Sequence, residues 1–293
     1  MICTIYHDVQ EFFQLTQQLL LDDEVQNLIL LGNLYIGVAG TDKSGWRDPA
    51  TWLMATVSSA DAIHLVAVMT PPHNITLYAV DEATTAEAVN TLVAALVTHE
   101  LAVPGVTARS ALAESFVASY TPRLQLKPEL TMQQRIYQLT QVNPAIPEIA
   151  APLSMRMASP KDMAFLPWWL QDFNNTSFLR PLALESEVEV AQRHIENGRL
   201  FILEDAGVPV SLAGRSREMR SACGVGPVYT PPYFRGRGYA TAAVAHVSRY
   251  SLERGFTYCV LYTDATNPIS NSIYQRIGYH HIYDSSMYSF VEL

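Results

Sequence analysis

The segment Arg235 to Ala240, Arg-Gly-Arg-Gly-Tyr-Ala, has residue types that suit the binding of a phosphate group. It follows a strand-like run and two prolines, and it opens an amphipathic helix. The first turn of a helix presents backbone N–H groups without helical partners at the positive end of the helix dipole. Glycines at 236 and 238 let the backbone approach a ligand where a Cβ atom would obstruct it. The segment predicts a phosphate-binding turn, and a glycine-rich turn without a ligand is the alternative.

Two other phosphate motifs do not fit this segment. A nucleoside triphosphate loop needs a lysine after its last glycine, and no lysine follows Gly238. A dinucleotide-binding turn needs a third glycine three residues after the second, and Thr241 stands there. Both alternatives are therefore excluded.

The elements around this turn predict a mixed α/β domain in the second half of the chain. Apolar periodicity, proline at a helix start and Asn-Gly at a helix end mark the boundaries. The pattern predicts strands at 154–158, 200–203, 208–213, 221–229, 258–263 and 283–291, and helices at 160–172, 185–196, 238–253 and 270–277.

The first half shows a similar alternation with weaker signals. The pattern predicts a helix within 8–31, strands at 51–57, 62–69 and 75–80, and a helix at 84–100. Prolines recur between Tyr120 and Pro152, and each removes a hydrogen-bond donor and restrains its predecessor. We therefore expect a linker there with one strand at 132–142, and a domain boundary at 145–152.

Composition limits the function. Nineteen Lys and Arg against 28 Asp and Glu give a net charge of −9, which argues against general binding of nucleic acids. No apolar run approaches the roughly 20 residues of a membrane span. Three scattered cysteines, Cys3, Cys223 and Cys259, form neither a disulfide framework nor a zinc cage. We expect a soluble, unprocessed, cytoplasmic protein that binds neither membrane nor nucleic acid.

Two motifs in order resemble the GNAT superfamily of acyl-CoA-dependent N-acyltransferases. Arg235-x-x-Gly238-x-Ala240 is similar to its Arg/Gln-x-x-Gly-x-Gly/Ala signature. Asn267-Pro-Ile-Ser-Asn-Ser-Ile-Tyr-Gln-Arg-Ile-Gly-Tyr279 is similar to a second family segment, with Tyr274 and Gly278 in register. A helix and a strand separate the motifs, and the resemblance covers residues 153 to 293. It implies the GNAT fold, an α/β architecture with a mixed sheet.

The resemblance also implies how acetyl-CoA binds. The backbone from Arg235 to Ala240 would hold the pyrophosphate, and Val228 to Thr230 would pair with the pantetheine arm. The strands at 221–229 and 258–263 would splay to admit the thioester, and an N–H near Val228 would polarise its carbonyl. Asn267 and Asn271 would orient the pantetheine. The full predicted coenzyme set is Val228, Tyr229, Thr230, Arg235, Gly236, Arg237, Gly238, Tyr239, Ala240, Thr241, Asn267, Asn271 and Tyr274.

Tyr274 is the predicted general acid that protonates the leaving thiolate. A phenol with a pKa near 10 can donate a proton without being ionised at neutral pH. The alternative is a packing tyrosine, because Ile273 and Ile277 lie on the same helix face.

The sequence specifies the general base and the acceptor site less closely than the coenzyme site. Glu218, Glu204, Asp264 and His194 all remain open as the base, and each also fits a solvated surface role. Cys223 lies in an apolar strand without a neighbouring base, which favours a buried thiol and direct transfer over an acyl-enzyme. The positions that would line the acceptor site are Trp168, Trp169, Asn174 and Asn175, with core packing as the alternative for the tryptophans. No metal site is expected, because His280 and His281 would point to opposite strand faces.

The first half resembles a degenerate second copy of the same fold. Met69-Thr-Pro-Pro-His-Asn-Ile faintly resembles the turn before the phosphate loop, but no Arg-x-x-Gly-x-Gly follows. We therefore expect two GNAT-like domains in tandem, 1–150 degenerate and structural and 151–293 catalytic. The expected function is acetyl transfer from acetyl-CoA to a small-molecule or peptide primary amine, and a homodimer is compatible with it. The alternative is a non-catalytic acyl-CoA-binding sensor or interaction protein.

Overall fold

The computed structural model describes residues 1–40, 48–60, 62–177 and 183–292, which form two compact units. Unit 1 comprises Met1–Arg135 and Tyr283–Leu293, and unit 2 comprises Ile136–Ile282. The chain thus returns to unit 1 for its last strand, whereas the sequence predicts a linear division after residue 150.

Unit 1 begins with a strand and two helices and continues with a mixed sheet. Its elements are β1 (Ile2–Tyr6), α1 (Val9–Leu21), α2 (Glu24–Ala39), β2 (Leu53–Ser59), β3 (Ala62–Met69), β4 (Ile75–Ala79), α3 (Glu82–Thr98), β5 (Gly105–Arg109), α4 (Ser110–Leu124) and β6 (Leu126–Leu139), whose last residues, from Ile136, belong to unit 2.

Unit 2 repeats this order. Its elements are β7 (Leu153–Met157), α5 (Leu166–Ser177), α6 (Leu184–Glu196), β8 (Leu200–Asp205), β9 (Val208–Glu218), β10 (Ala222–Tyr229), α7 (Tyr239–Glu253), β11 (Tyr258–Asp264), α8 (Pro268–Ile277) and β12 (His280–Glu292), which enters unit 1 at Tyr283. Short 3₁₀ helices, Pro160–Ala164 and Pro232–Phe234, precede α5 and α7.

The two units share their strand pairing as well as their element order. In each unit three antiparallel pairings are followed by one parallel pairing, β4 with β5 in unit 1 and β10 with β11 in unit 2. The strand order is β1-β2-β3-β4-β5-β12 in unit 1 and β6-β11-β10-β9-β8-β7 in unit 2. The mixed α/β fold predicted from the sequence is confirmed.

The sheet of unit 2 buries side chains on both of its faces, and this arrangement positions the functional residues. On one face Leu261 of β11 packs in a cluster with Val244 and Val247 of α7. On the other face Leu212 of β9 packs in a cluster with Leu170 of α5 and Ala191 of α6. Because side chains alternate along a strand, neighbouring residues of β10 serve opposite faces.

The structure differs from the sequence analysis in three respects. Pro122 and Pro128 do not exclude regular structure: Pro122 lies in the last turn of α4, two residues before the helix ends, and Pro128 lies near the start of β6. The segment after Met69 is the turn of the antiparallel β3–β4 hairpin and not a strand-to-helix turn. β1, β5, α2 and α4 were not predicted at all; the two strands have only five residues each.

A charged cluster ties the first strand of unit 2 to its neighbours. The guanidinium of Arg156 donates to both oxygens of Asp162, at 2.7 and 2.8 Å, and to Oε1 of Glu204 at 2.7 Å. Burial raises the pKa of the Asp162 carboxyl, but the hydrogen bonds from Arg156 and Ser159 outweigh it, so the pKa is lowered overall.

We predict that Asp162→Asn destabilises the protein by about 2–3 kcal/mol at pH 7, since it leaves a half-buried arginine without its main partner. The folded pKa is depressed, so this stabilisation is present above the ordinary carboxyl pKa of 3.8 and disappears as the pH falls through the lower folded value. Urea denaturation between pH 7 and pH 3 measures the deficit, which should shrink at the acidic end.

The exposed carboxylate Glu189, on α6, provides the control for lost negative charge. Glu189→Gln should change the free energy of unfolding by less than about 0.5 kcal/mol. A deficit for Asp162→Asn that is the same at pH 3 and pH 7 would contradict the assignment of the charged pair.

Candidate functional site

The parallel strands β10 and β11 separate after a short paired stretch. Their register covers three residue pairs, from Ala222 with Tyr258 to Gly224 with Val260, among the residues that the structure describes. Both strands continue beyond this point, to Tyr229 and Asp264. The splay predicted between these two strands is therefore present in the fold.

An irregularity in β10 accompanies the separation. Between Val225 and Val228 the register against β9 shifts by one residue, which is a β-bulge. A Cβ atom on Gly214 would lie 2.9 Å from the carbonyl oxygen of Gly226, so glycine permits the close approach of β9. Bulges redirect the strand after them, here the segment Val228 to Thr230.

The connection from β10 to α7 holds the predicted phosphate-binding turn. Gly236 and Gly238 have φ angles of +79° and +81°, which only glycine adopts without strain, and a Cβ at either position would meet no atom within 4 Å. Gly238 is the N-cap of α7, and α7 has no side-chain cap. The glycines thus leave the helix start open on its outer side.

Six consecutive backbone N–H groups, from Gly236 to Thr241, have no acceptor within the described part of the chain; the first bond into α7 is from Ala242 N to Gly238 O, at 3.0 Å. Arg235 flanks them, with its Nε 2.9 Å from the carbonyl oxygen of Thr230. Tyr239 Oη donates to Asp205 at 2.5 Å, and the Arg237 side chain lies beside that hydroxyl. The arrangement can bind an anion through the backbone with two guanidinium groups nearby.

The equivalent connection in unit 1 is built differently. Only Val80 and Asp81 separate β4 from α3, and the Asp81 carboxylate accepts from Ala83 N at 3.1 Å. The protein's own carboxylate therefore occupies the position that an anion would take.

The end of β10 is fixed by one buried hydroxyl. Ser211 Oγ donates to the carbonyl oxygen of Tyr229 at 2.9 Å and lies 2.8 Å from Thr230 Oγ1. Val228 and Tyr229 keep their pairing with Ala213 and Leu212 of β9. The segment Val228 to Thr230 is consequently held as an extended strand end beside the splay.

The second motif forms the turn from β11 into α8. Asn267 is the N-cap of α8, with its Oδ1 accepting from Ser270 N at 3.1 Å. Asn271 is buried; its Nδ2 donates to the carbonyl oxygens of Asp264 and Asn267, at 3.0 and 2.6 Å, and its Oδ1 accepts from Tyr137 Oη at 2.9 Å. The Asn271 side chain is thus committed to bonds that brace the turn.

Tyr274 lies on the buried face of α8. Its ring is 6.3 Å from that of Tyr137 and 6.1 Å from that of Tyr279, measured between centroids. Burial raises the pKa of Tyr274 to about 12, and its hydroxyl has no hydrogen-bond partner among the described residues. The phenol is therefore protonated at neutral pH and its proton is available to another group.

The predicted base candidates are mostly engaged elsewhere. Glu204 accepts from Arg156, Glu218 lies 2.5 Å from Arg215 Nη1, and Asp264 accepts from the backbone and hydroxyl of Thr266 at 2.8 Å. Burial lowers the pKa of His194 to about 4, so this imidazole is neutral at pH 7. Burial raises the pKa of the Cys223 thiol, consistent with a thiol rather than a thiolate.

The predicted acceptor residues separate onto different faces of α5. Trp168 is 57% exposed, Asn175 is exposed, and Asn174 Nδ2 donates to Oε1 of the buried Glu187 at 2.6 Å. Trp169 instead lies with its ring 5.9 Å from that of Tyr229 at the end of β10. Sequence reasoning missed Asp172, which accepts from Tyr229 Oη; its spacing of three from Trp169 was the available signal.

Comparisons with known proteins agree with this geometry. Residues 164–279 match the model of the acetyltransferase (GNAT) family. This match spans the splay, the turn and α8, so this part of unit 2 is similar to the GNAT acetyltransferase family.

Solved structures resemble nearly the whole chain. A Drosophila protein matches with a TM-score of 0.68 and 13% identity, over 99% of this chain and 98% of its own. A GNAT-family acetyltransferase from Colwellia psychrerythraea matches with a TM-score of 0.60 and 11% identity, over 99% and 100%. A GCN5-related N-acetyltransferase from Sphaerobacter thermophilus matches with a TM-score of 0.59 and 15% identity, over 99% and 98%. At such identities the likeness shows the fold.

No curated protein matches the chain significantly. Within the described ranges, no helix is both long and apolar enough to span a membrane, and no group of three or more His, Cys, Asp or Glu side chains is arranged to hold a metal ion.

We predict that Asn271→Ala destabilises the protein by about 2–4 kcal/mol, because it removes three hydrogen bonds from a buried turn: two to the carbonyl oxygens of Asp264 and Asn267 and one from the hydroxyl of Tyr137. Asn267→Ala removes only a helix cap and should cost about 1 kcal/mol. Urea denaturation of both variants at pH 7 measures the difference. Equal costs for the two substitutions would show that the buried network does not brace the turn.

Proposed function

We propose that the chain is an N-acetyltransferase that transfers an acetyl group from acetyl-CoA to a primary amine within a ternary complex. Residues 151–293 would be the catalytic domain, and 1–150 a degenerate GNAT-like domain with a structural role. The observation that carries the proposal is the row of six unpaired N–H groups from Gly236 to Thr241, beside a splayed strand pair. The cytoplasm is the compartment that fits this substrate.

The turn fits the pyrophosphate of coenzyme A. The N–H groups from Gly236 to Thr241 would donate to its oxygens, and Arg235 and Arg237 would add positive charge. The open space at Gly236 and Gly238 lets phosphate oxygens reach the backbone. The strand end Val228 to Thr230 would hold the pantetheine arm by strand-like pairing, which directs the thioester into the splay.

Acetyl-CoA supplies a thioester whose carbonyl carbon the amine nitrogen attacks. The backbone near Val228 would donate to the carbonyl oxygen as charge develops on it. The N–C bond forms and the C–S bond breaks; Tyr274 gives its phenolic proton to the leaving thiolate, and the amine loses its proton to a base or to water. Asn267 and Asn271 contribute as residues that fix α8, and so Tyr274, relative to β11.

One observation favours transfer over a binding-only function. Tyr274 has a raised pKa and a hydroxyl without a hydrogen-bond partner among the described residues, which a purely packing tyrosine does not require. A separate observation favours direct attack by the amine over an acyl-enzyme: Cys223 is a buried thiol with a raised pKa. Thiol release from acetyl-CoA with a panel of primary amines distinguishes the enzyme from a non-catalytic acyl-CoA sensor.

We predict that acetyl-CoA raises the melting temperature of the wild-type protein, since a ligand that binds only the native state stabilises it. Gly238→Glu should abolish the shift, because a carboxylate would stand at the anion position. Gly207→Glu is the matched control: Gly207 has a φ of +82° and open surroundings, but it lies in the β8–β9 turn. An undiminished shift in Gly238→Glu would overturn the phosphate site.

We predict that Tyr274→Phe lowers kcat by about 10²-fold or more, the usual effect of losing a general acid, while the Kd for acetyl-CoA changes less than about twofold. Steady-state thiol release and calorimetric titration measure the two quantities. Tyr250→Phe, on α7, is the control for loss of a tyrosine hydroxyl. Full turnover in Tyr274→Phe would remove this tyrosine from the mechanism.

A further inference from the structure

Three aromatic side chains of unit 2 form a cluster around one carboxylate. Phe165 and Trp169 lie with ring centroids 4.6 Å apart, and Trp169 lies 5.9 Å from Tyr229. The Tyr229 hydroxyl donates to Oδ2 of Asp172. We call these residues, Phe165, Trp169, Asp172 and Tyr229, the Asp172 cluster.

The carboxylate of this cluster has capacity for a further donor. Asp172 is half-buried, and its Oδ2 accepts a hydrogen bond from the Tyr229 hydroxyl. Its Oδ1 has no hydrogen-bond partner within the described part of the chain. A carboxylate offers about four acceptor positions on its two oxygens. Burial, followed by the bond to Asp172, raises the pKa of Tyr229, so the phenol remains a hydrogen-bond donor to Asp172.

The cluster lies next to the segment that would hold the acyl donor. Tyr229 directly follows Val228, and the two side chains serve opposite faces of the sheet, Tyr229 with α5 and α6 and Val228 with α7. Arg235 lies at the same strand end, with its guanidinium carbon 6.0 Å from the Tyr229 ring centroid. A molecule that reaches the splay from the α5 side would therefore contact Asp172, Trp169 and Tyr229.

We infer that the Asp172 cluster is the acceptor subsite and that it selects primary arylalkylamines, bound as ammonium ions. A carboxylate gives an ammonium group a charge-assisted hydrogen bond, and the Trp169 and Tyr229 rings add cation–π attraction. The Phe165 and Trp169 rings offer an apolar surface for the carbon part of the amine. This inference rests on the proposed function and gives its acceptor a chemical class. In this inference Asp172 is a residue that binds the acceptor amine.

The test uses the full-length protein with saturating coenzyme A and two probes of equal shape, 2-phenylethylamine and the uncharged 2-phenylethanol. Calorimetric titration should give at least about tenfold tighter binding for the amine, the size of one charge-assisted hydrogen bond. Asp172→Asn should remove about tenfold in amine affinity and leave the alcohol within about twofold. Asp172→Glu, which keeps the charge, should retain part of the preference. Glu189→Gln should leave both affinities unchanged.

Retention of the acetyl-CoA melting shift shows that Asp172→Asn is folded. Equal affinities of the wild type for amine and alcohol, or an unchanged amine preference in Asp172→Asn, would overturn the inference. Because these are equilibrium measurements, they need no turnover. If the wild type binds the amine through Asp172 but releases no thiol with any amine, the proposed function is refuted and the subsite is not. If Asp172→Asn turns over with an unchanged KM for the amine, the subsite is refuted and the proposed function is not.

Discussion

The site depends on how a helix start satisfies its backbone donors. Every α-helix begins with N–H groups that have no helical partner, and something must accept from them. In unit 1 the chain does so itself, through Asp81, after a connection of two residues. In unit 2 the connection from β10 to α7 is longer and places Gly238 at the N-cap, which has no side chain to offer. The same fold therefore provides a closed helix start in one unit and an open one in the other.

The splay of β10 from β11 determines what kind of ligand such an open helix start can bind. A phosphate held there would be adjacent to a strand end whose backbone is fixed by Ser211 and whose neighbour strand has separated. The alternation along β10 then directs Val228 to the α7 face and Tyr229 to the α5 face. In the proposed function, donor and acceptor would approach this strand end from opposite faces of the sheet, which would bring them together for direct transfer.

Local chemistry decides how much of this could be predicted from the sequence. The glycine turn after β10, α7 and α8 depend on glycine positions and short spacings, and these elements were predicted close to their observed bounds. The bond from Tyr229 to Asp172 joins residues 57 positions apart, and that from Tyr137 to Asn271 joins residues 134 apart. No pattern within a segment specifies such pairs. Pro122 misled for a related reason, because its cost depends on its place in a helix that the local pattern did not reveal.

An acidic chain has no net positive charge with which to bind a polyanion. It therefore needs hydrogen-bond donors that carry no full charge. The net charge of −9 leaves few lysines and arginines for this purpose, but backbone N–H groups carry their partial charge in every sequence. Their direction depends on φ, and at two positions of the turn φ is positive. The proposed anion site therefore depends on the two glycines, Gly236 and Gly238, more than on Arg235 and Arg237. That explains why unit 1 can retain the entire element order while its equivalent helix start is closed by a single aspartate.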